Sequence, residues 1–432
     1  MKKVLIITYY WPPSGGAGVQ RSLKFVKYLP EFGIEPIVIT VDPSQATYPI
    51  IDETLLKEVK EEVRVIRTRS FEPLKILSAL KGKETIPHGG FANNNKESIT
   101  QKTLRFIRGN FFLPDARTGW VRFAVKAASD VIEKENVDTV FISSPPHSSQ
   151  LVGLELKKKY KIRWIADMRD PWTDIYYYHD LLHTKFAAKR DAVYERQVLE
   201  NADAVISVSE PINDLFLSKS DKLRKEKFHV IPNGFDESDF FSDIEVSRKE
   251  FVFTYVGTIA DNYNPGIAFK AIRKFIDENP GLKVILQMVG TSSSIIQKLI
   301  DQYGLSSYTV FIDHVDHQTA VNYMRSAAIL LLFIPDIPGA DGILTGKLFE
   351  YIGSGRPIVG LGPVQGSAAA ILNASNSGKM FDRNDYDQIL HFINTNFNNW
   401  KSGITETGNQ VTKLKYTRKS QTEELVKILL GQ

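Results

Sequence analysis

Short apolar runs rich in β-branched residues alternate along the chain with longer amphipathic stretches. One series of runs lies at 4–10, 35–41, 63–68, 137–144, 163–167, 204–209 and 229–232. A second series lies at 251–258, 283–289, 309–315, 329–334 and 357–361. Buried parallel strands separated by helices have this pattern. The sequence therefore predicts an α/β protein with two doubly wound, Rossmann-like parallel sheets in tandem.

The turn-rich segment 231–236 separates the two series and marks the predicted domain boundary. We assign residues 1–235 to an N-terminal domain and residues 236–416 to a C-terminal domain, and we expect a helix over 417–432 to join the N-terminal domain. Ligands of such sheets usually bind beyond the carboxyl ends of the strands. The expected ligand site is therefore a cleft between the two domains.

Composition narrows the classes of function. The chain has 432 residues, of which 43% are hydrophobic and 24% charged, as in folded globular proteins. It contains no cysteine, which excludes disulfide frameworks, thiolate metal sites and cysteine nucleophiles and fits a reducing cytoplasm. Its formal charge of +4 is too small for a general nucleic-acid binder, so no nucleic-acid partner is expected. No apolar run approaches the roughly 18 residues that a membrane span needs.

Positive charge is concentrated in one irregular segment. Residues 71–130 hold ten Lys and Arg against five Asp and Glu, and we interpret 70–120 as an insertion at the rim of the cleft. Within it, residues 101–112 interleave cations with apolar side chains, which fits contact with an anionic membrane surface. The alternative is a helix that packs Leu104, Ile107 and Phe111 on the core.

A glycine-rich loop follows the first predicted strand. Gly15, Gly16 and Gly18 stand between that strand and a helix predicted over 22–32. Glycines let a backbone approach a ligand closely, and a helix N-terminus offers free N–H groups to an anion. The spacing matches neither a Walker loop nor G-x-G-x-x-G. A tight turn that needs glycine only for its geometry is therefore the alternative.

Two further polar loops follow predicted strands. His147 comes after two prolines that fix the backbone, and it is either a site residue or a structural histidine. Asp167, Arg169 and Asp170 follow another strand. They form either a polar binding loop or an ion network that satisfies itself.

The C-terminal half contains the sharpest local pattern, in segment 346–359. Leu348 belongs to the predicted core face of a short helix, while Lys347 and Glu350 are three residues apart and share another face. A carboxylate suits ribose hydroxyls, and an ammonium or free helix N–H groups suit a diphosphate. An ordinary surface ion pair between Lys347 and Glu350 is the alternative.

The whole chain resembles GT-B glycosyltransferases of the family-4 type, which are retaining enzymes that use nucleotide-sugars. The motifs that carry the resemblance keep their order over nearly the full length, at 9–18, 143–147, 167–172, 208–210, 230–235, 255–258, 289–290 and 346–357. The resemblance implies a GT-B fold, in which two Rossmann-like domains flank a cleft. It also implies that the C-terminal domain binds the nucleotide-sugar and that the N-terminal domain faces the acceptor.

The resemblance assigns roles to individual residues. It implies that Glu350 holds the donor ribose and that Lys347 is the cation nearest the diphosphate. His147 would approach the transferred sugar, and Arg169 and Asp170 complete the catalytic set. The backbone at the three loop glycines would face the donor phosphates or sugar, the turn at 257–258 would lie beside the diphosphate, and 314–315 would line the base pocket. The remaining donor-binding residues are thus Gly15, Gly16, Gly18, Gly257, Thr258, His314, Val315 and Leu348.

Two departures from the family pattern bear on these roles. The first acid of the family's E-x7-E motif falls on Gly342, with Asp341 beside it. The arginine that the family places after the Val-Gly of the first C-terminal strand is Thr258 here. We therefore expect Lys347 to take over part of the phosphate role, with help from Arg169 or Arg21.

The resemblance implies retaining transfer of a hexosyl unit from a nucleotide diphosphate sugar to an acceptor hydroxyl, without a metal or other cofactor. The expected acceptor is a glycan or lipid-linked glycan of bacterial surface polysaccharide assembly. The expected location is the cytoplasm, with peripheral contact at the inner face of the cell membrane. Two alternatives stay open: a nucleotide-sugar 2-epimerase of the same fold, and a non-catalytic partner protein with a degenerate cleft.

Overall fold

A computed structural model describes residues 1–72, 99–176, 178–240, 244 and 246–432 of the chain. Residues 73–98 of the basic segment therefore lie outside the described residues. The chain divides into two compact units, which we call domain 1 and domain 2. Domain 1 is Met1–Pro232 with Gln421–Gln432, and domain 2 is Asn233–Ser420.

Domain 1 is built on a parallel sheet. Its strands are β1 Lys2–Ile7, β2 Ile34–Val41, β3 Arg64–Thr68, β4 Thr139–Ser144, β5 Arg163–Met168, β6 Ala204–Ser207 and β7 Phe228–Val230. Among the described residues they form one seven-stranded sheet in the order β3-β2-β1-β4-β5-β6-β7. Its helices up to the boundary are α1 Ala17–Tyr28, α2 Ile99–Phe111, α3 Val121–Glu135, α4 Ser148–Lys159, α5 Lys185–Asn201 and α6 Glu210–Leu217.

Domain 2 repeats the architecture. Its strands are β8 Glu250–Val256, β9 Lys283–Val289, β10 Thr309–Ile312, β11 Ile329–Phe333, β12 Ile358–Leu361 and β13 Gly378–Phe381. In the described part of the chain they form a parallel six-stranded sheet in the order β10-β9-β8-β11-β12-β13. The remaining helices are α7 Gly266–Glu278, α8 Ser294–Gln302, α9 His317–Ser326, α10 Gly346–Ser354, α11 Ser367–Ser375, α12 Tyr386–Lys401, α13 Gln410–Leu414 and α14 Arg418–Leu430.

Both sheets are buried on both faces, which explains why their strands are continuously apolar. Successive side chains of a strand point to opposite faces. Accordingly Val4 and Ile6 of β1 pack in one cluster, while Leu5 and Ile7 pack in the cluster on the other side. The first of these clusters also receives apolar residues of α14, such as Leu425. The strand order of both sheets reverses beside its first strand, as in Rossmann folds.

The prediction of two doubly wound parallel sheets is confirmed. One strand, β13, was not predicted, because its four residues begin with Gly378 and Lys379 and have no apolar run. The first helix begins at Ala17 and not at residue 22, because the glycine loop leads straight into it. Among the described residues, no helix is both long enough and apolar enough to cross a membrane.

Candidate functional site

Lys347 is anchored at the carboxyl end of β8 by an aromatic hydroxyl. Its Nζ donates to the Tyr255 hydroxyl at 2.7 Å and lies 4.5 Å from the centroid of that ring. The same hydroxyl donates to the Thr258 carbonyl at 2.8 Å. A Cβ on Gly257 would lie only 3.0 Å from Nζ. The absence of a side chain at Gly257 therefore makes room for the ammonium beside the turn at 257–258.

The N-terminus of α10 adds further positive potential at this point. Thr345 precedes the helix, but its buried hydroxyl does not cap it and has no hydrogen-bond partner among the residues that the structure describes. The first turn contains no acid, and the N–H groups of Gly346 and Lys347 precede any intrahelical carbonyl. Burial lowers the pKa of Lys347 to about 8, although Glu350 opposes the shift. An ammonium, an unpaired hydroxyl and an uncapped helix N-terminus together suit a diphosphate.

Two glycines and a second tyrosine fix the backbone next to Lys347. Gly257 has φ of 108° and Gly290 has φ of 107°, both in the left-handed region that favours glycine. A Cβ on Gly290 would lie 2.7 Å from the Gly257 carbonyl oxygen. The Tyr351 hydroxyl of α10 accepts the Val256 N–H at 2.8 Å. The ends of β8 and β9 are thus tied to the helix that carries the lysine.

Glu350 lies one turn after Lys347 and faces a histidine that the sequence did not single out. Its Oε1 is 3.7 Å from His317 Nδ1, and His317 Nε2 is 3.2 Å from Asp239 Oδ2. Lys347 reaches Tyr255 instead, so the alternative of an ordinary Lys347–Glu350 surface pair is wrong. His317 is the first residue of α9 and comes near Glu350 only through the fold. No local motif marks it, so the sequence analysis did not single it out.

The other residues of domain 2 that the sequence analysis considered for donor binding differ in how exposed they are. Leu348 is fully buried in the core of domain 2, and its N–H donates to the Thr345 carbonyl at 3.2 Å. Its side chain is thus committed to the core, and its assignment as a donor-binding residue stays a prediction. His314 is exposed and Val315 is half-buried, and their place in a base pocket stays a prediction. Asp341 is exposed beside the buried Gly342.

In domain 1, the three loop glycines serve different purposes. The Gly15 N–H donates to the Ile50 carbonyl at 2.9 Å, so the prediction that it faces a phosphate is wrong and the tight-turn reading holds there. Gly16 has φ of 91° and precedes α1 without a side-chain cap. A Cβ on Gly18 would lie 3.3 Å from Arg169 Nη2. Gly18 therefore lets a guanidinium approach the first turn of α1, which holds no acid.

Asp167 belongs to a structural ion pair with a residue of α1. Arg21 donates from Nε and Nη2 to both carboxylate oxygens at 2.7–3.1 Å, and both side chains are fully buried. Ser143 Oγ also donates to Asp167 at 2.7 Å, and Arg21 Nη1 donates to the Pro232 carbonyl. The expectation that Arg21 assists at the diphosphate is therefore wrong. The ion network predicted around Arg169 forms with Arg21 instead.

Arg169 keeps part of its guanidinium open. Its Nε donates to the Ser144 carbonyl at 3.0 Å and its Nη2 to the Pro145 carbonyl at 3.4 Å. Its Nη1 has no hydrogen-bond partner within the described parts of the chain. Burial lowers its pKa, while Asp170 and Asp167 oppose the shift. Asp170 itself is half-buried, and burial raises its pKa. A guanidinium beside the start of α1 makes a second place that favours an anion.

His147 lies at the N-terminus of α4 and stacks on Trp172. The ring centroids are 4.9 Å apart and the planes differ by 12°. Its Nδ1 is buried and has no hydrogen-bond partner in the described part of the chain. Burial, with the cation of Arg169, lowers the pKa of His147 to about 3. The imidazole is therefore neutral at physiological pH, and it can donate or accept a hydrogen bond without changing its charge.

The described part of the basic segment presents apolar side chains to solvent. Phe111 at the end of α2 is 74% exposed, so the predicted packing of this residue on the core is wrong. Asn110 Nδ2 donates to the Leu182 carbonyl at 3.0 Å, which joins α2 to the start of α5. The side chain of Leu104 lies outside the described residues. We call the exposed residues of these two adjoining segments the Phe111 surface: Phe106, Phe111, Leu182 and Phe186.

Comparison with known proteins shows which protein family the sequence matches. The sequence matches the model of the glycosyl transferase 4-like domain over residues 15–234. No curated protein matches the sequence at a significant level. In the described ranges, no group of three or more His, Asp or Glu side chains is arranged to hold a metal ion.

Several solved structures share the architecture over their whole length. Sucrose-phosphate synthase from Thermosynechococcus elongatus has a TM-score of 0.62 at 14% identity, with 100% of this chain and 99% of that chain covered. HepE from Anabaena, in complex with UDP-glucose, has a TM-score of 0.62 at 13% identity, with both chains covered completely. WaaG, a glycosyltransferase involved in lipopolysaccharide biosynthesis, has a TM-score of 0.57 at 13% identity, with 99% and 100% covered. The predicted GT-B fold is confirmed.

Proposed function

Because this chain belongs to the glycosyl transferase 4-like family, we propose that it moves a sugar from a nucleotide diphosphate to an acceptor hydroxyl, with retention at the anomeric carbon. The anion site at the start of α10 carries the proposal. There Lys347, held at 2.7 Å by Tyr255, lies beside an uncapped helix N-terminus and a buried Thr345 hydroxyl that has no hydrogen-bond partner among the described residues. Glu350, one turn on, has free carboxylate capacity for ribose hydroxyls.

The same residues explain how the reaction would be accelerated. The bond between the anomeric carbon and the diphosphate oxygen breaks, and negative charge develops on the leaving diphosphate. Fixed positive groups lower the barrier because they are already oriented toward that charge. Lys347 and the N–H groups of α10 supply this stabilisation, so we propose that no metal is required. The acceptor oxygen forms the new bond on the same face, and its proton passes to the leaving diphosphate.

Domain 1 contributes two groups to the proposed reaction. The neutral imidazole of His147 is suited to hydrogen-bond a hydroxyl of the transferred sugar. The open Nη1 of Arg169, beside the uncapped start of α1, is suited to a further anionic oxygen of the donor or acceptor. We assign no protein nucleophile, and Asp170 stays a predicted member of the catalytic set.

A panel of nucleotide-sugars tests the function and the site together. At about 100 times Kd, the correct donor is expected to stabilise the protein by about 2.7 kcal/mol, seen as a thermal shift. Glu350→Gln is expected to weaken that donor by roughly 1–3 kcal/mol, because it removes a charge-assisted hydrogen bond. Calorimetry with the same donor measures the loss. Chelation of divalent cations is expected to leave wild-type affinity unchanged.

The matched control is Glu278→Gln, which changes an acid of α7 whose ion partner is Lys274 on the same helix. It is expected to bind the donor as the wild type does. Unchanged affinity in Glu350→Gln would refute the ribose assignment, and the absence of stabilisation by any nucleotide-sugar would favour a non-catalytic partner protein. Incubating donor without acceptor separates the epimerase alternative, since an epimerase converts the donor alone.

We further propose that the acceptor is a lipid-linked glycan met at an anionic membrane surface. The Phe111 surface exposes Phe111 and Phe186 at 74% each. The α2 sequence carries three cations and no acid, and the neighbouring start of α5 adds exposed Lys185, Lys189 and Arg190. Exposed aromatic side chains amid cations suit the boundary between head groups and acyl chains.

Vesicle co-sedimentation tests this contact. Binding to vesicles containing phosphatidylglycerol is expected to fall at least tenfold when Phe111 and Phe186 are both replaced by serine, because about 1.5–3 kcal/mol of apolar burial is lost for each. The matched control replaces two exposed apolar residues of domain 2, Ile404 and Val411, by serine. Equal binding to vesicles of pure phosphatidylcholine, or equal loss in the control, would contradict the proposed surface.

A further inference from the structure

A buried carboxylate contacts the loop after β5 that carries Arg169, Asp170 and Trp172, which we call the catalytic loop. Asp191 of α5 is 1% exposed. Its Oδ1 accepts the Trp172 indole N–H at 2.8 Å and its Oδ2 accepts the Tyr178 hydroxyl at 2.9 Å. No Lys or Arg pairs with it among the described residues. A buried acid without a cation is costly to the fold, which points to a use other than stability.

The charged groups around Asp191 are acids. Asp115, from the loop before α3, and Glu195, one turn along α5, both disfavour its charged form. Tyr178, which donates to it, stacks on His183 with ring centroids 4.3 Å apart. Desolvation raises the pKa of Asp191 to about 7, and the two hydrogen bonds only partly oppose the rise. Its charge therefore changes within the physiological pH range.

Glu195 shows what an ordinary buried acid of the same helix looks like. Lys219 Nζ lies 3.1 Å from its Oε2, and the Thr173 hydroxyl donates to the same oxygen at 2.5 Å. This acid is paired with a cation and fastens the backbone of the loop. Asp191, in contrast, accepts hydrogen bonds from two aromatic side chains, Trp172 and Tyr178, and of these Trp172 contacts His147.

That ring is the contact that orients His147. Trp172 is 2% exposed, and its face lies against the imidazole at 4.9 Å between centroids. Within the described ranges, the imidazole Nδ1 has no hydrogen-bond partner that would also fix the orientation of the ring. An indole has one N–H, so the bond to Asp191 sets the rotation of the ring in its pocket. The orientation of His147 therefore follows from a chain of two contacts that begins at Asp191.

We propose that Asp191 is a positioning residue, which holds Trp172 so that the His147 imidazole keeps the orientation needed for sugar transfer. The inference rests on the proposed function, because it makes the transfer step the quantity that Asp191 controls. An indole N–H bonds more strongly to a carboxylate than to a neutral carboxyl. Turnover is therefore expected to rise severalfold between pH 6 and pH 8, with donor affinity unchanged.

Substitutions at the two ends of the bond test the inference by turnover. Asp191→Asn keeps an oxygen for the indole N–H but does not titrate, so it is expected to retain activity and lose the rise with pH. Asp191→Leu and Trp172→Phe are each expected to lower kcat about tenfold, with KM for the donor changed less than twofold. In the double variant the losses are expected not to multiply, because both remove the same bond.

Glu195→Gln is the matched control, and it is expected to keep the rise with pH. Losses that multiply in the double variant, or a rise with pH that persists in Asp191→Asn, would overturn the inference. A readout without turnover separates this outcome from failure of the proposed function. The His147 imidazole resonance, assigned by its loss in His147→Ala, is expected to shift in Asp191→Leu and not in Glu195→Gln, and an unshifted resonance would overturn the inference even if no sugar is transferred.

Discussion

Replacing Lys347 by methionine is expected to lower turnover about 100- to 1000-fold, or roughly 3–4 kcal/mol of transition-state stabilisation. Methionine keeps most of the apolar stem and removes the ammonium. That ammonium is held at 2.7 Å by the Tyr255 hydroxyl beside Gly257, so it needs no reorganisation when charge develops on a diphosphate. Steady-state kinetics measures the loss of turnover, and calorimetry with the best donor of the panel measures the loss of donor affinity.

The pH dependence of donor binding shows whether the effect of Lys347→Met comes from the loss of the ammonium. The pKa of Lys347 is about 8 in the free protein, and a bound diphosphate favours the charged form and raises it. Binding then takes up a proton between these two pKa values. The affinity of the wild type is therefore full below pH 8 and falls by up to about tenfold per pH unit above it. Lys347→Met is expected to bind weakly and without this dependence.

Lys298→Met is the control for this experiment, because Lys298 is an exposed lysine of α8 in the same domain. It is expected to match the wild type in turnover and in pH dependence. A nucleoside without phosphates is expected to bind Lys347→Met and wild type equally. If Lys347→Met binds the nucleoside diphosphate as the wild type does, the anion site does not lie at the start of α10.

The sequence predicted the fold well because buried parallel strands appear as continuous apolar runs. Each long strand is apolar on both faces, as the runs at β1 and β11 show. The four residues of β13 form no such run, since two of them are half-buried or exposed. Helix α1 was predicted to begin too late, because Gly18 disfavours a helix and only the nearby Arg169 guanidinium explains its place there.

The predictable part of the site is the part that local motifs mark. Lys347 and Glu350 stand out by type and spacing. Tyr255 does not, because in sequence it is one more aromatic residue of a buried strand, and its hydroxyl gains a role only when α10 brings the lysine to it. His317 and Asp191 were missed for the same reason. Their partners lie on other elements, and no spacing along the chain shows such contacts.

In the loop after β5, neighbouring charged residues of one sequence motif have different partners. Asp167 and Arg169 alternate with Met168, so the sequence suggested that they bind each other. The fold gives Asp167 a buried partner, Arg21 of α1, at 2.7 Å. Arg169 is thereby left to bond backbone carbonyls and to keep one nitrogen open. The ion-network interpretation is therefore confirmed for Asp167, while the binding role of Arg169 stays a prediction.

Replacing His147 by alanine is expected to lower turnover about 100-fold, while donor affinity changes less than twofold. The imidazole is neutral, because burial and the Arg169 cation lower its pKa to about 3. A buried, unpartnered N–H is rarer than a buried acceptor without a partner, so we place the ring proton on Nε2 and leave the buried Nδ1 as the acceptor. We expect Nε2–H to donate to the sugar as the bond to the diphosphate breaks, and about 3 kcal/mol is typical for such a donor.

Two further variants separate this role from acid–base catalysis. His147→Gln keeps a neutral N–H donor and is expected to recover part of the turnover that His147→Ala loses. His229→Ala is the matched control, because burial lowers the pKa of that domain 1 histidine too, and it lies on β7 away from the catalytic loop. It is expected to turn over normally. A fall in turnover below pH 6.5 that persists in Asp191→Asn and disappears when His147→Gln is added would instead identify His147 as a titrating acid or base, since an imidazole with its ordinary pKa would produce that fall.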